Sequence, residues 1–424
     1  MKSAIPVEAM VARADRVADI VAPQYDAIPG GGRYRFAVEH PDSFVNITLS
    51  ARDFPDPVRS RRATARRAAR HFQGMLERRL FEQVPGSVFF LYELDTGSHR
   101  QSGIVAGIPV SAIREGRVIG HEGTIDDRVD DLARFFRVAR LASSPVSLGF
   151  QADARHLRLI EELSSAAPSR DFTGFDGVRQ RLWTVAEPAD VARVKAAIAR
   201  IDSMYITDGH HRVAASSRSG AGPGWFLAIL FPTDHLDAVE YNRLIRLDRV
   251  PGPGQVKRRL RPDWEVRPIG PPGGANPRPR ARGELAMLLD GTWYRLRYRG
   301  ERSPDPVAGL DVSLLHDRVL GPVFGVSSYQ DGRLSYVTGG ESLTGLEQQT
   351  AAYPGAVGFA MRPALIGEVM KVADEGRLMP PKSTWFTPKP RSGLFVVRWD
   401  QAAVAGSTRR RPDTSSGSGS GSGS

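Results

Sequence analysis

The sequence of 424 residues contains no cysteine. This absence excludes disulfide bonds, thiolate catalysis and cysteine-ligated zinc or iron–sulfur clusters, so histidine and carboxylate are the only strong metal ligands left. The chain also lacks an apolar run of about 18 residues or more, and we therefore expect no membrane-spanning helix. Its N-terminus mixes acidic residues with apolar ones, which is not typical of a secretory signal, and predicts a cytoplasmic location.

Two well-known enzyme signatures are missing as well. There is no GxxxxGK[ST] sequence, which argues against a P-loop kinase, and no HExxH sequence, which removes a common zinc-hydrolase arrangement. A metal hydrolase that uses other histidine and carboxylate side chains therefore ranks last among the functions that we consider.

Positive charge is abundant. Lysine and arginine together number 58 against 47 acidic residues, which gives a formal net charge of +11. Such a chain is suited to nucleic acid or to anionic small molecules such as nucleotides. The basic residues cluster only at 59–70, where arginines alternate with alanines at helical spacing. We interpret this cluster as a solvated helix face, and nucleic acid is not the favoured partner because no aromatic platform accompanies it.

The pattern of apolar residues predicts a mixed α/β (α+β) fold. We expect strands at 87–94, 104–113, 204–208 and 225–232, helices at 128–142, 191–200 and 211–220, and a hairpin turn at Asp290–Gly291. A chain of this length is long enough for two or three domains. We predict an N-terminal α/β unit at 1–105, a core at 106–250, a C-terminal α/β unit at 251–406 and a flexible Gly-Ser tail at 407–424.

The stretch YITDGHHRVAAS, residues 205–216, carries the strongest chemical signal. A strand brings Asp208 to its carboxyl end, Gly209 makes the bend, and a helix begins near His210. Ligands of α/β folds collect at such strand ends, and a helix N-terminus offers N–H groups to anions. With His211 and Arg212 added, the bend predicts a phosphate cradle. Asp208 itself has three open roles: holding a divalent cation, binding a substrate amine or capping the helix.

Two further stretches bear chemistry. In GHEGTIDDR, residues 120–128, Glu122 lies in a glycine-flanked bend beside His121, which suits a general base. In MPPKSTWFTPKPRSG, residues 379–393, prolines stiffen a segment that carries Lys382, Ser383, Thr384 and Lys389. These groups suit an anion, although a proline-rich packed connector explains the segment equally well.

Taken together, five motifs resemble a large microbial family known as a domain of unknown function: IVAPQYD (20–26), HPDSFVNI (40–47), GHEGT…DR, YITDGHHR and MPPKSTWFTPKPRSGL. The resemblance covers about residues 15–400. Within it, residues 106–250 are similar to the ParB/sulfiredoxin-like core, and above all to the ADP-dependent free serine kinase. In that kinase a His-Glu loop and a DGHHR strand–turn–helix bracket the nucleotide phosphates.

The resemblance implies a set of residue roles. Glu122 corresponds to the catalytic base, and Asp208, His210 and His211 to the catalytic loop, with Asp208 as the ligand of Mg²⁺. The nucleotide, ATP or ADP, would be bound by the loops around these residues: His121, Thr124, Arg128, Gly209 and Arg212, together with Lys382, Ser383 and Thr384 of the third stretch.

The function that this implies is transfer of a phosphoryl group to free L-serine or a related hydroxy amino acid. A ParB-like nucleotide switch or DNA-binding protein without kinase activity is the alternative, and a hydrolase using His121, Glu122, His210 and His211 is the third. The donor, the acceptor and the oligomeric state stay open. The kinase hypothesis requires that the Glu122 bend and the paired-histidine bend face each other across one crevice.

Overall fold

The computed structural model describes residues 4–24, 27–28, 32–218, 222–274, 276–338 and 342–399. The predicted tail at 407–424, Tyr25 and Asp26 of the IVAPQYD motif, and the last two residues of the helix predicted at 211–220 lie outside these ranges. Within the described residues, no helix combines the length and the apolar character needed to cross a membrane.

The strands are numbered along the chain. They are β1 Ala9–Ala12, β2 Phe81–Gln83, β3 Phe89–Asp95, β4 Arg100–Pro109, β5 Val118–Ile119, β6 Leu141–Ala142, β7 Val146–Phe150, β8 Arg170–Thr173, β9 Arg179–Val185, β10 Met204–Asp208, β11 Trp225–Pro232, β12 Asp237–Ala238, β13 Tyr241–Arg246, β14 Trp264–Gly270, β15 Glu284–Leu289, β16 Thr292–Tyr298, β17 Leu334–Thr338, β18 Ala356–Ala360, β19 Phe386–Thr387 and β20 Phe395–Arg398.

The helices are numbered in the same way. They are α1 Val17–Ile20, α2 Gly32–Glu39, α3 Val45–Thr48, α4 Pro57–Glu77, α5 Ser111–Arg114, α6 Asp126–Ala139, α7 Ala154–Ser164, α8 Pro188–Ala199, α9 His210–Arg218, α10 Pro253–Leu260, α11 Asp311–Leu315, α12 Gly321–Phe324, α13 Ser342–Ala352 and α14 Ile366–Asp374. The mixture of helices and sheets confirms the α/β (α+β) class.

An eight-stranded mixed sheet is the largest layer, with the strand order β5-β10-β7-β11-β4-β3-β9-β8. β10 runs parallel to β5 and β11 runs parallel to β7, whereas the other neighbours are antiparallel. Both faces of the sheet are covered, because alternate side chains enter two different cores: Phe90 and Ile229 pack in one, and Phe89 and Leu230 in the other. This double burial explains the continuous apolar runs of β3 and β11.

A six-stranded antiparallel sheet, β14-β16-β15-β18-β13-β17, forms the second layer. The predicted hairpin turn between β15 and β16 is confirmed. Asp290 and Gly291 have φ angles of 49° and 67°, and the tight two-residue hairpin turn needs positive φ at both positions. The sequence Asp-Gly supplies two residues that tolerate this geometry at little cost.

The strands predicted at 87–94, 204–208 and 225–232 correspond to β3, β10 and β11. The strand predicted at 104–113 is β4, which pairs with β3 but ends at Pro109, because residues 111–114 form α5. The helix predicted at 128–142 is instead α6, residues 126–139, because Arg140 adopts a left-handed φ of 50° and Leu141–Ala142 forms β6. The face of α6 that packs against α9 carries Val129 and Ala133, whereas Val138 is 39 % exposed.

The division into an N-terminal unit, a core and a C-terminal unit stays a prediction, but strand pairing in the structure crosses its expected boundaries. The boundary expected between residues 105 and 106 falls within β4, and β13, which precedes the boundary at 250/251, pairs within the six-stranded sheet. A small sheet, β2-β1-β20-β6, joins the first described strand to the last. Backbone hydrogen bonds therefore tie the predicted units together.

Candidate functional site

The DGHHR bend lies at the end of β10, as the sequence predicts. Gly209 has a φ of 103°, and a Cβ atom at this position would lie 2.9 Å from Nε of Arg212. The close approach arises because Arg212 folds back beneath the bend, where its guanidinium donates to a carboxylate oxygen of Asp208 and to the carbonyl of Pro145 at 2.8 Å. Glycine is therefore favoured by the backbone conformation, and a Cβ atom here would displace the guanidinium of Arg212.

The Glu122 bend faces the DGHHR bend directly. The backbone N–H of His121 donates to Nε2 of His210 at 3.3 Å, so the neutral His210 ring carries its proton on Nδ1. That Nδ1 lies 3.6 Å from Oε2 of Glu122. The contact between the two bends therefore brings together the carboxylate and the paired-histidine segment that the sequence singled out.

Burial sets the protonation of this pair. It lowers the pKa of His210 to about 4 and raises the pKa of the Glu122 carboxyl above its ordinary value. The shift of Glu122 is opposed by Lys382 and Lys389 and reinforced by Asp208. At neutral pH the imidazole is uncharged, and Glu122, whose side chain is 33 % exposed, is a stronger base than a fully solvated carboxylate.

His121 lies beneath the crevice rather than on its surface. Its exposed fraction is 0 %, its ring stands perpendicular to that of His210 at 4.7 Å, and its Nε2 lies 3.0 Å from Oγ1 of Thr384. Burial, reinforced by His210, lowers the pKa of His121 to about 3. The expected role in lining the nucleotide pocket stays a prediction, and in this structure the imidazole is packed between His210 and Thr384.

His211 faces the loop that precedes α6. Its Nε2 accepts the backbone N–H of Ile125 at 3.0 Å, so the neutral ring has its N–H on Nδ1. Burial lowers the pKa of His211, and Arg128 and Lys382 lower it further. Both histidines of the pair are therefore neutral, and they can assist an anion as hydrogen-bond donors rather than as cations. Thr124 and Arg128 are exposed at the start of α6.

The proline-rich segment 379–389 closes the site from a distant part of the sequence. The N–H of Met379 donates to the carbonyl of His121 at 2.8 Å, Thr384 contacts the ring of the same residue, and Nζ of Lys389 lies 3.5 Å from Oδ1 of Asp208. Three predicted stretches thus meet at one place. The sequence leaves open whether this segment is an anion-binding loop or a packed connector. In the structure the segment contacts both the Glu122 bend and the DGHHR bend.

The lysines and hydroxyls of this segment have different surroundings. Lys382 is exposed, has a φ of 59°, and lies near enough to Glu122 and His211 to lower the pKa of both. Its carbonyl accepts from the buried guanidinium of Arg243 at 3.0 Å, which fastens the loop to β13. Ser383 is buried, and its hydroxyl donates to the carbonyl of Pro380 at 2.6 Å.

Sequence reasoning left two contributors out of the predicted site. The sequence places Lys389 on the loop, but nothing in the local sequence indicates that its side chain contacts Asp208. Arg243 carries no motif at all; its role follows only from burial against the loop carbonyl. Both contacts join segments more than 100 residues apart, where local patterns give no information.

Asp208 is held between two cations. Burial raises its pKa, but Lys389 and Arg212 outweigh this effect, and the pKa of Asp208 lies below its ordinary value. In the described part of the chain, no three histidine, aspartate or glutamate side chains are grouped so as to hold a metal ion. The expected role of Asp208 as a Mg²⁺ ligand stays a prediction. A cation that arrives on nucleotide phosphates needs only one or two protein carboxylates. To serve as one of them, Asp208 would have to share oxygens that are now paired with Arg212 and Lys389.

Comparison with known proteins gives a family and distant structural neighbours. The model of a family described as "Protein of unknown function (DUF1015)" matches residues 4–313, more than half of the chain. No curated protein matches the sequence.

Among solved structures, SbnI with a C-terminal truncation from Staphylococcus aureus is 11 % identical, with a TM-score of 0.36 and coverage of 68 % of this chain and 85 % of that one. A free serine kinase in complex with AMP is 13 % identical, with a TM-score of 0.35 and coverage of 68 % and 91 %. A conserved hypothetical protein from Pyrococcus furiosus is 13 % identical, with a TM-score of 0.34 and coverage of 69 % and 95 %.

Proposed function

The chain belongs to the DUF1015 family, and we propose that it transfers a phosphoryl group from a nucleotide, ATP or ADP, to the hydroxyl of free L-serine or a related hydroxy amino acid. The observation that supports this proposal is the approach of Glu122 to the DGHHR bend, with 3.6 Å between Oε2 of Glu122 and Nδ1 of His210.

Each part of the site has a task in this reaction. Glu122 accepts the hydroxyl proton of the amino acid, whose oxygen forms a bond to phosphorus as the bond from phosphorus to the nucleotide oxygen breaks. A carboxylate with a raised pKa is suited to this step because it binds a proton more readily than a solvated one. The proton ends on Glu122 and the departing charge on the shortened nucleotide.

The anionic phosphates are stabilised from several sides. Lys382 supplies a full positive charge, the neutral His211 supplies an N–H donor, and the N-terminus of α9 supplies backbone N–H groups. Phosphoryl transfer depends mainly on such positioning and electrostatic stabilisation, so no covalent intermediate on the protein is needed. A bound Mg²⁺ would neutralise phosphate charge, and Asp208 is the carboxylate that would hold it.

The test is a phosphorus NMR assay of the purified protein with Mg²⁺ and either ATP or ADP, against pooled hydroxy amino acids. We expect a new phosphomonoester signal that grows with time in the wild type and is lost in Glu122→Gln. Glu161→Gln, which changes an exposed glutamate on α7, is the matched control and should leave the signal unchanged.

The rate should also depend on pH through Glu122. Since the base must be ionised, activity should fall as the pH drops through the raised pKa of this carboxyl, above the 4.5 of an ordinary glutamate. Nucleotide binding with no phosphorylated product across the panel would refute the kinase and favour the alternative of a nucleotide-dependent switch.

A further inference from the structure

Lys389 is the charged residue of the loop that makes contact with the DGHHR bend itself. Its Nζ lies 3.5 Å from Oδ1 of Asp208 and 3.8 Å from the centre of the Trp385 ring. Because the other oxygen of Asp208 is taken by Arg212, Oδ1 is the one that remains for Lys389. Asp208 and Trp385 thus place the side chain beside the bend, and 22 % of the side chain is exposed.

The contact between the two side chains is a loose one. Charge-assisted hydrogen bonds of this kind are usually about 2.7–2.9 Å long, whereas the separation here is 3.5 Å. An ammonium has three N–H donors and can therefore contact more than one acceptor at a time. A phosphate oxygen that enters between the two bends would meet this group.

The scaffold behind Lys389 holds the ammonium in place. Trp385 precedes β19, which pairs with β12, and the N–H of Val239 donates to the carbonyl of Trp385 at 2.9 Å. On the site side, Met379 and Thr384 both contact His121. The loop is therefore fixed on both of its flanks, and the position of the lysine does not depend on a ligand.

We propose that Lys389 recognises the phosphate chain of the nucleotide, and that Asp208 holds its ammonium in position before the nucleotide arrives. This inference rests on the proposed function and extends it, since it assigns phosphate recognition to a residue of the C-terminal region. The nucleotide site is then composite: the base and the bend come from the eight-stranded sheet region, and the phosphate-binding cation comes from a loop fastened to the six-stranded sheet.

The test compares ligands that differ only in phosphate number. We would measure the binding of adenosine, AMP and ADP by isothermal titration calorimetry to the wild type and to Lys389→Met, with inorganic tripolyphosphate as a probe that lacks a base. Loss of a charged donor to a phosphate should weaken ADP and tripolyphosphate by about tenfold to a hundredfold, and adenosine by less than about twofold.

Two further variants separate recognition from structure. Lys389→Arg keeps the positive charge and should restore part of the lost ADP affinity. Lys371→Met removes a lysine that lines a separate cavity of about 750 Å³, on the Phe386 side of β19, and should change none of the affinities. Unchanged thermal unfolding of all variants would establish that the fold is intact.

The outcomes distinguish the two proposals. If Lys389→Met weakens adenosine and ADP equally, or leaves ADP unchanged, the phosphate role of Lys389 is wrong while nucleotide binding stands. If the wild type binds tripolyphosphate in a manner that depends on Lys389 but binds no nucleotide, the anion site is confirmed and the kinase proposal fails. If the wild type binds neither, both are wrong.

Discussion

Replacing Gly209 with alanine tests the way in which the bend is built. The backbone at this position has a φ of 103°, a region that side-chain-bearing residues avoid, and the new Cβ would lie 2.9 Å from Nε of Arg212. The guanidinium must then move away from the bend. In moving, it gives up its bonds to Asp208 and to the carbonyl of Pro145.

The expected loss of folding stability in Gly209→Ala has two parts that can be measured separately. Placing an alanine in a left-handed conformation costs about 1–2 kcal/mol, and loss of a hydrogen bond to a charged group costs about 1.5–3 kcal/mol. Gly209→Ala should therefore lower the free energy of unfolding by about 2.5–5 kcal/mol. Gly116 has a φ of 70° with open space around it, so Gly116→Ala should show only the first part.

The assay is calorimetric unfolding of the variants side by side, with a shift of about 2–4 °C expected for each kcal/mol in domains of 150–250 residues. Gly367→Ala, in a helix with no close neighbour and no positive φ, is the control and should be neutral or slightly stabilising. In a protein that already carries Arg212→Met, adding Gly209→Ala should lower the free energy of unfolding only by the cost of the left-handed backbone conformation. If Gly209→Ala costs no more than Gly116→Ala in the wild type, Arg212 does not pack against the bend and this reasoning is refuted.

Two other predictions concern the buried histidines. An imidazole in the unfolded chain has a pKa of 6.5, whereas burial lowers the pKa of His210 to about 4. The unfolded state therefore binds more protons, and the free energy of unfolding should fall as the pH drops from 6.5 towards 4. His210→Asn should weaken this pH dependence in denaturant titrations, and an equally steep profile in the variant would contradict the lowered pKa. Thr384→Val leaves Nε2 of His121 without its partner and should cost about 1–3 kcal/mol, with faster tryptic cleavage after Lys382, whereas Thr384→Ser should behave like the wild type.

Local features of the fold were predictable because their signals lie within a few residues. The strand–turn–helix at 204–218 follows from a short apolar run, a glycine and a helical pattern, and the turn at Asp290–Gly291 follows from two residues that accept positive φ. The sequence predicts that α6 ends at residue 142 instead of 139. Arg140 has a left-handed conformation, and no glycine at this position indicates the end of the helix.

Features that depend on distant contacts were not predictable. β1 pairs with β20, and loop 379–389 packs against His121, although these segments are hundreds of residues apart in the sequence. The residue pattern within a strand or a loop does not indicate which distant segment it contacts. The same applies to the protonation of the site. Two adjacent histidines in a sequence suggest positive charge at a phosphate, but burial makes both neutral.

A structure of the protein crystallised with ADP and L-serine would show directly whether the nucleotide binds between the two bends. We expect phosphate oxygens within hydrogen-bonding distance of Lys389 and of the start of α9, and the serine hydroxyl within reach of Glu122. A nucleotide bound elsewhere, such as in the cavity beside Phe386 and Lys371, with the crevice between the two bends unoccupied, would contradict it.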